Sequence, residues 1–95
     1  DHIGAACGVD GKPVFPQAQH WIPKIEREAT LNPDHLRRAS YRQEDLLPIE
    51  EAGLLNTFEG EVTILPGLKL VSLGGHSDGV SVMTLEEDGQ TACFW

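Results

Sequence analysis

Residues 62–95 read VTILPGLKLVSLGGHSDGVSVMTLEEDGQTACFW and carry the strongest fold signal in this chain. Segments rich in β-forming residues alternate there with short turn sequences. The predicted strands are Val62–Leu65, Leu68–Leu73, Val80–Leu85 and Gln90–Trp95. Because the connections between them are too short for a helical crossover, the segments predict a mostly antiparallel run. Pro66-Gly67 and Glu86–Gly89 are the expected turns of this run.

The first half of the chain carries helical signals that prolines interrupt. Lys24–Leu31 is predicted to be a helix, with Pro23 at its start and a buried strand before it. Leu46–Gly53 is predicted to be a short helix, since it has a proline near its start and a glycine at its end. Leu54–Phe58 would form a strand that leaves this helix. Helices followed by strands predict an α/β fold.

Composition excludes several classes of protein. The chain has 95 residues, with 7 Lys and Arg against 15 Asp and Glu, which gives a formal net charge of −8. This length allows at most one small domain. The acidic balance argues against a nucleic-acid partner, because binding phosphate requires a surplus of basic residues. No apolar run approaches the roughly 20 residues that span a bilayer, and no signal peptide is visible. We therefore expect a cytoplasmic protein with no membrane partner.

The two cysteines, Cys7 and Cys93, lie near opposite ends of the chain and form no CxxC motif. A secreted scaffold stabilised by disulfides normally carries more cysteines. We expect both thiols to be reduced and structural, as the tendency of free cysteine to be buried suggests. A disulfide between them is an alternative that the sequence does not decide.

Two short segments carry residue types suited to metal chemistry. One is Asp1-His2, and the other is His76 within the glycine-rich segment Gly74–Gly79. Carboxylate oxygen and imidazole nitrogen are ligands that zinc accepts. Taken alone, each segment is more typical of a helix cap or a turn. His20 in the predicted strand is expected to be packed or hydrogen-bonded, and His35 in a polar run is expected to be solvated. The chain contains no Gly-x-Ser-x-Gly, P-loop or dinucleotide-binding motif.

Several motifs, in order, resemble the metallo-β-lactamase-fold hydrolases, in particular their lactonase and organophosphate-hydrolase branch. Asp1-His2-Ile3-Gly4 is similar to the end of the family motif His-x-His-x-Asp-His. Residues 10–18 and 46–55 resemble the segments that precede the Pro-Gly strand of that branch, and Pro66-Gly67-Leu68 matches that strand. Residues 75–79 resemble the Gly-His-Thr-Pro-Gly turn, with aspartate in place of the proline. Val80 also departs from the family, which commonly has His or Ser there.

The resemblance implies that residues 1–95 are the central portion of a single metallo-β-lactamase-like domain, incomplete at both ends. The fold would be part of an αβ/βα sandwich. Asp1 and His2 would bind the second of two zinc ions, with Asp1 also catalytic, and His76 would bind the first. The resemblance also implies that further ligands lie outside these residues, so this chain alone would hold an incomplete site and be inactive.

The family further implies a metal-dependent hydrolase that acts on a small-molecule lactone, ester or phosphoester. The alternative is a non-catalytic fragment, or a truncated interaction module without metal. The apolar segment Ala92–Trp95 predicts a buried strand that would need cover. We expect that cover to come from an oligomer partner or from the remainder of a longer chain.

Overall fold

Short helices and one strand form the first half of the described part of the chain, residues 2–95 of a computed structural model, and five strands follow. The helices are α1 (Lys24–Leu31) and α2 (Leu47–Glu51), with short 3₁₀ helices at Ile3–Ala6 and Gln43–Asp45. The strands are β1 (His20–Pro23), β2 (Leu55–Phe58), β3 (Glu61–Leu65), β4 (Leu68–Ser72), β5 (Ser81–Glu87) and β6 (Gln90–Phe94). These bounds confirm the predicted α/β class.

The chain divides into two compact units. The first contains the residues up to Ile22 together with Arg27–Thr57, and the second contains Pro23–Glu26 and Phe58–Trp95. β1 and β2 pair as a two-stranded sheet. At the edge of this sheet, the backbone N–H of His20 donates to the carbonyl of Leu54 over 2.7 Å.

The core of the first unit lies around α2. Leu46 and Ile49 are fully buried, with 1% and 0% of their surface exposed, and Tyr41 is also buried. Gly53 ends the helical segment at φ +72°, a conformation that glycine adopts without a Cβ clash. Arg27 on α1 donates from Nε to Oε1 of Glu50 over 3.0 Å, which joins the two helices.

The second unit contains a four-stranded sheet in the order β3-β4-β5-β6, with every neighbouring pair antiparallel. The predicted antiparallel run is therefore confirmed. The turn between β5 and β6 contains only Asp88-Gly89, with positive φ at both residues, +50° and +73°. Two positive φ angles suit the twist of a two-residue hairpin. Glu86 and Glu87 belong to β5, so the turn is shorter than the predicted Glu86–Gly89.

β6 is the outermost strand of this sheet, and all five of its residues are exposed. Phe94 and Trp95 are 54% and 96% exposed. Within residues 2–95 the expectation that this segment is buried is not met, because β5 is the only strand beside it in the sheet that these residues form. None of the helices within residues 2–95 has the length and apolar character required to cross a membrane.

Both cysteines are free thiols. Cys7 is half-buried, and its thiol donates to the carbonyl of Asp45 over 3.1 Å. Burial and, to a smaller extent, the negative charge of Asp45 raise the pKa of the Cys7 thiol. Cys93 lies on β6 and is exposed, so the expectation that both cysteines are buried is wrong for Cys93.

We expect the two cysteines to differ in reactivity toward a disulfide reagent at pH 8. Cys93 should react first, because it is exposed, whereas burial and a raised pKa leave less thiolate at Cys7. Stopped-flow absorbance should resolve two phases, and Cys93→Ser should remove the fast one. Equal rates for both thiols would contradict this assignment.

Ile49→Ala should destabilise the chain by about 2–5 kcal/mol, because it removes a fully buried side chain and leaves a cavity. Leu36→Ala is the matched control, since Leu36 is 88% exposed and its truncation should change stability by less than about 0.5 kcal/mol. Urea denaturation measures both values. Similar losses in the two variants would show that α2 does not form the core.

Candidate metal-binding loop

The loop between β4 and β5 contains Gly74–Gly79 and presents His76. Gly74 and Gly75 have φ angles of +72° and +126°, which residues with a Cβ rarely adopt. A Cβ on Gly74 would also lie 3.3 Å from the carbonyl oxygen of Asp78, across the loop. The two glycines therefore let the chain reverse directly before His76.

Backbone hydrogen bonds close the base of this loop. The N–H groups of Leu73 and Gly74 both donate to the carbonyl of Val80, over 2.8 and 3.1 Å. Val80 in turn donates its N–H to the carbonyl of Ser77 over 3.3 Å. The loop is thus a closed turn at the end of two paired strands, and it presents His76 at an exposed position.

The first turn of α1 contacts this loop at Gly79, which is buried. The N–H of Gly79 donates to Oε1 of Glu26 over 2.8 Å. A Cβ on Gly79 would clash with Cγ of Glu26, so any other residue here would displace the Glu26 side chain or the loop. No pattern in the sequence indicates this contact, because 53 positions separate the two residues and no motif joins them.

His2 lies in the first unit, directly before the 3₁₀ helix Ile3–Ala6, and its side chain is exposed. The hydrogen bond from Cys7 to Asp45 holds this segment against the second 3₁₀ helix. The predicted ligand and helix cap Asp1 lies outside the described residues. The structure therefore describes two of the three predicted ligands, His2 and His76, each within its own unit.

The donor types of these residues suit zinc, but a catalytic zinc normally needs three protein ligands of its own. Residues 2–95 contain no group of three or more His, Cys, Asp or Glu that could hold a metal ion. The ligand roles of Asp1, His2 and His76 therefore stay predictions.

The other two histidines also have defined environments. His35 is exposed, as expected for a solvated residue. Both ring nitrogens of His20 are buried and have no hydrogen-bond partner among the described residues. His20 is therefore packed rather than hydrogen-bonded through its ring, which agrees with one of the two environments expected for it.

Comparison with solved structures shows which known folds this chain resembles. The crystal structure of a probable metal-dependent hydrolase from Staphylococcus aureus matches with a TM-score of 0.86 and 26% sequence identity over 98% of this chain. This chain has the fold of a metal-dependent hydrolase. The resemblance inferred from the sequence motifs is confirmed at this level.

A second solved structure supports the same fold. AidC, a dizinc quorum-quenching lactonase in complex with a product, matches with a TM-score of 0.73 and 24% identity, again over 98% of this chain. The chain spans about a third of the length of both solved structures, 33% and 36%. Comparisons with protein-family models and with curated protein sequences find no match.

Gly75→Ala should cost about 1–3 kcal/mol of stability, because a Cβ is strained at φ +126°. Gly4→Ala is the control, since Gly4 is exposed and the added Cβ would make only an ordinary contact, 3.5 Å from Oδ2 of Asp45. Urea denaturation should separate the two variants by at least about 1 kcal/mol. Equal stability would show that Gly75 is not required for the reversal of the chain.

Proposed function

We propose that residues 1–95 form the central portion of a single metallo-β-lactamase-like domain of a zinc-dependent hydrolase. The observation that carries this proposal is the match of 98% of the chain to a solved structure described as a probable metal-dependent hydrolase, with a TM-score of 0.86. The ordered motifs support it independently, since the glycine-rich His76 turn lies between two antiparallel strands. A cytoplasmic location is part of the same proposal.

In this proposal Asp1 and His2 contribute to the second of two zinc sites, and His76 contributes to the first. Zinc, when bound by a complete ligand set, supplies Lewis-acid activation of the substrate and of an attacking water. Asp1 is the proposed catalytic carboxylate, which would orient that water. The closed β4–β5 turn would hold the imidazole of His76 at a fixed position, because its base is joined by backbone hydrogen bonds.

The proposed substrate is a small molecule with a lactone, ester or phosphoester group. A solved structure with this fold is a lactonase that holds its product, and this supports the lactone within that set. The exposed edge strand β6 is the surface that an oligomer partner or further polypeptide would cover.

The competing proposal is a non-catalytic fragment or an interaction module without metal. The exposed Phe94 and Trp95 favour it, since large apolar side chains at an edge are typical of binding surfaces. The two proposals differ in whether the gene product binds zinc.

We expect the full gene product to carry about two zinc ions per chain, the number that a dizinc site holds. We also expect it to hydrolyse a lactone. His76→Ala should lower the hydrolysis rate by at least about 100-fold and reduce the zinc content, because it removes a ligand. His35→Ala is the matched control, since it removes an exposed imidazole outside the loop and should leave both unchanged. Metal analysis by mass spectrometry and a lactone assay give the two readouts.

The chain of residues 1–95 should be assayed beside the full gene product. It should bind zinc weakly and show no turnover, because the described residues form no group of three metal donors. If residues 1–95 bound two zinc ions per chain and showed turnover, the proposal that their site is incomplete would be wrong. A full gene product without zinc would contradict the hydrolase and favour the interaction module.

A further inference from the structure

The peptide that follows His76 in the loop is held by a side chain from outside the loop. Oε1 of Glu26 accepts the backbone N–H of Gly79 over 2.8 Å, and both residues belong to the second unit. Glu26 is half-buried and Gly79 is buried. Hydrogen bonds to an ionised acceptor are roughly twice as strong as neutral ones, so this contact is well placed to restrain the loop.

The fit between α1 and the loop leaves no room for a side chain at Gly79. A Cβ at this position would clash with Cγ of Glu26, and it would lie 2.8 Å from Oε1 of Glu26 and 2.9 Å from Cγ2 of Ile25. Contacts under 3.0 Å would force the side chains of Glu26 and Ile25, or the loop itself, to move. The missing Cβ therefore allows the carboxylate to reach the backbone directly.

Both polar backbone groups of Gly79 are occupied. The N–H donates to Glu26, and the carbonyl accepts the hydroxyl of Ser81 over 2.9 Å. On the other side of His76, Gly74 and Gly75 at positive φ permit the reversal, and the N–H of Gly74 donates to the carbonyl of Val80 at the base of the loop. The contact with Glu26 is therefore the restraint that the helix adds to the loop.

We propose that Glu26 is a positioning residue, which fixes the loop Gly74–Gly79 so that His76 is held in place to bind metal. This role rests on the proposed function of His76 as a zinc ligand. Glu26 acts through the backbone of Gly79 and has no proposed contact with metal or substrate. Its position in the first turn of α1 also suits a negative charge, so the test must separate helix stabilisation from loop positioning.

Three variants and one control make this separation in the full gene product. Glu26→Ala removes the acceptor, and Glu26→Gln keeps a carbonyl oxygen that can accept the same N–H. Gly79→Ala places a Cβ against Glu26. Glu28→Ala is the control, because it removes the same charge from an exposed position on the same helix.

Hydrogen exchange measured by mass spectrometry on peptides that span residues 73–81 tests the contact itself. Glu26→Ala should raise the exchange of this segment by about 10-fold or more, as expected for a lost hydrogen bond to a charged group. Glu26→Gln should raise it less, and Glu28→Ala should leave it unchanged. Unchanged exchange in Glu26→Ala would overturn the proposal.

Zinc affinity, measured by competition with a chromophoric chelator, tests the link to His76. Glu26→Ala and Gly79→Ala should weaken the zinc affinity by about 10- to 100-fold, as is usual when a residue that orients a metal ligand is lost. Glu26→Gln should restore most of it, and Glu28→Ala should match the wild type. Rescue by Gln is the result that a purely charge-based effect on the helix would not give.

The outcomes distinguish the two proposals. If the wild type binds zinc and Glu26→Ala binds it with an affinity within twofold of the wild type, the positioning role is overturned and the proposed hydrolase stands. A wild-type protein that binds no zinc overturns the hydrolase and, with it, the role of Glu26 toward a metal. If Glu26→Ala fails to fold, the comparison of Gly79→Ala with Glu28→Ala decides. Greater exchange and weaker zinc binding in Gly79→Ala alone support the role, and wild-type values in Gly79→Ala overturn it.

Discussion

The backbone pairing of β4 with β5 is the constraint on which the proposed site depends. Its register places Ser72 opposite Ser81, so the eight residues from 73 to 80 must reverse within one turn. Two glycines at positive φ make that reversal sterically allowed, and the carbonyl of Val80 closes it by accepting two N–H groups. His76 lies at the far end of this closed turn. The sheet register therefore sets where the backbone of His76 lies.

Much of this architecture is predictable, because local rules dominate where it forms. The helix Lys24–Leu31 has its predicted bounds, since a proline precedes it and Asn32-Pro33 breaks it. The strands of the second half follow from β-forming residues and short turns. The order of the motifs along the chain is by itself enough to indicate the metal-dependent hydrolase fold. Each of these predictions depends only on residues that are close together in the sequence.

The parts that could not be predicted depend on distant residues. Nothing near Glu26 indicates that it reaches Gly79, and nothing near His20 shows that its ring is buried without a hydrogen-bond partner among the described residues. The exposure of Cys93 has a similar origin, because an apolar strand predicts burial but only the sheet order shows that β6 has a single neighbour. Burial is a property of the assembled sheet, whereas apolar character is a property of the sequence.

The exposed edge at β6 has a consequence for aggregation. Gln90–Phe94 contains no charged residue and no proline, and one side of its backbone has no strand beside it in the sheet. Such an edge is a template for pairing with another chain. Three acidic residues, Glu86, Glu87 and Asp88, lie close before it in the sequence, where charges of one sign would oppose such pairing by repulsion. This protection would be electrostatic, so high salt that screens the three charges would weaken it and leave a strand ready to form intermolecular β-structure.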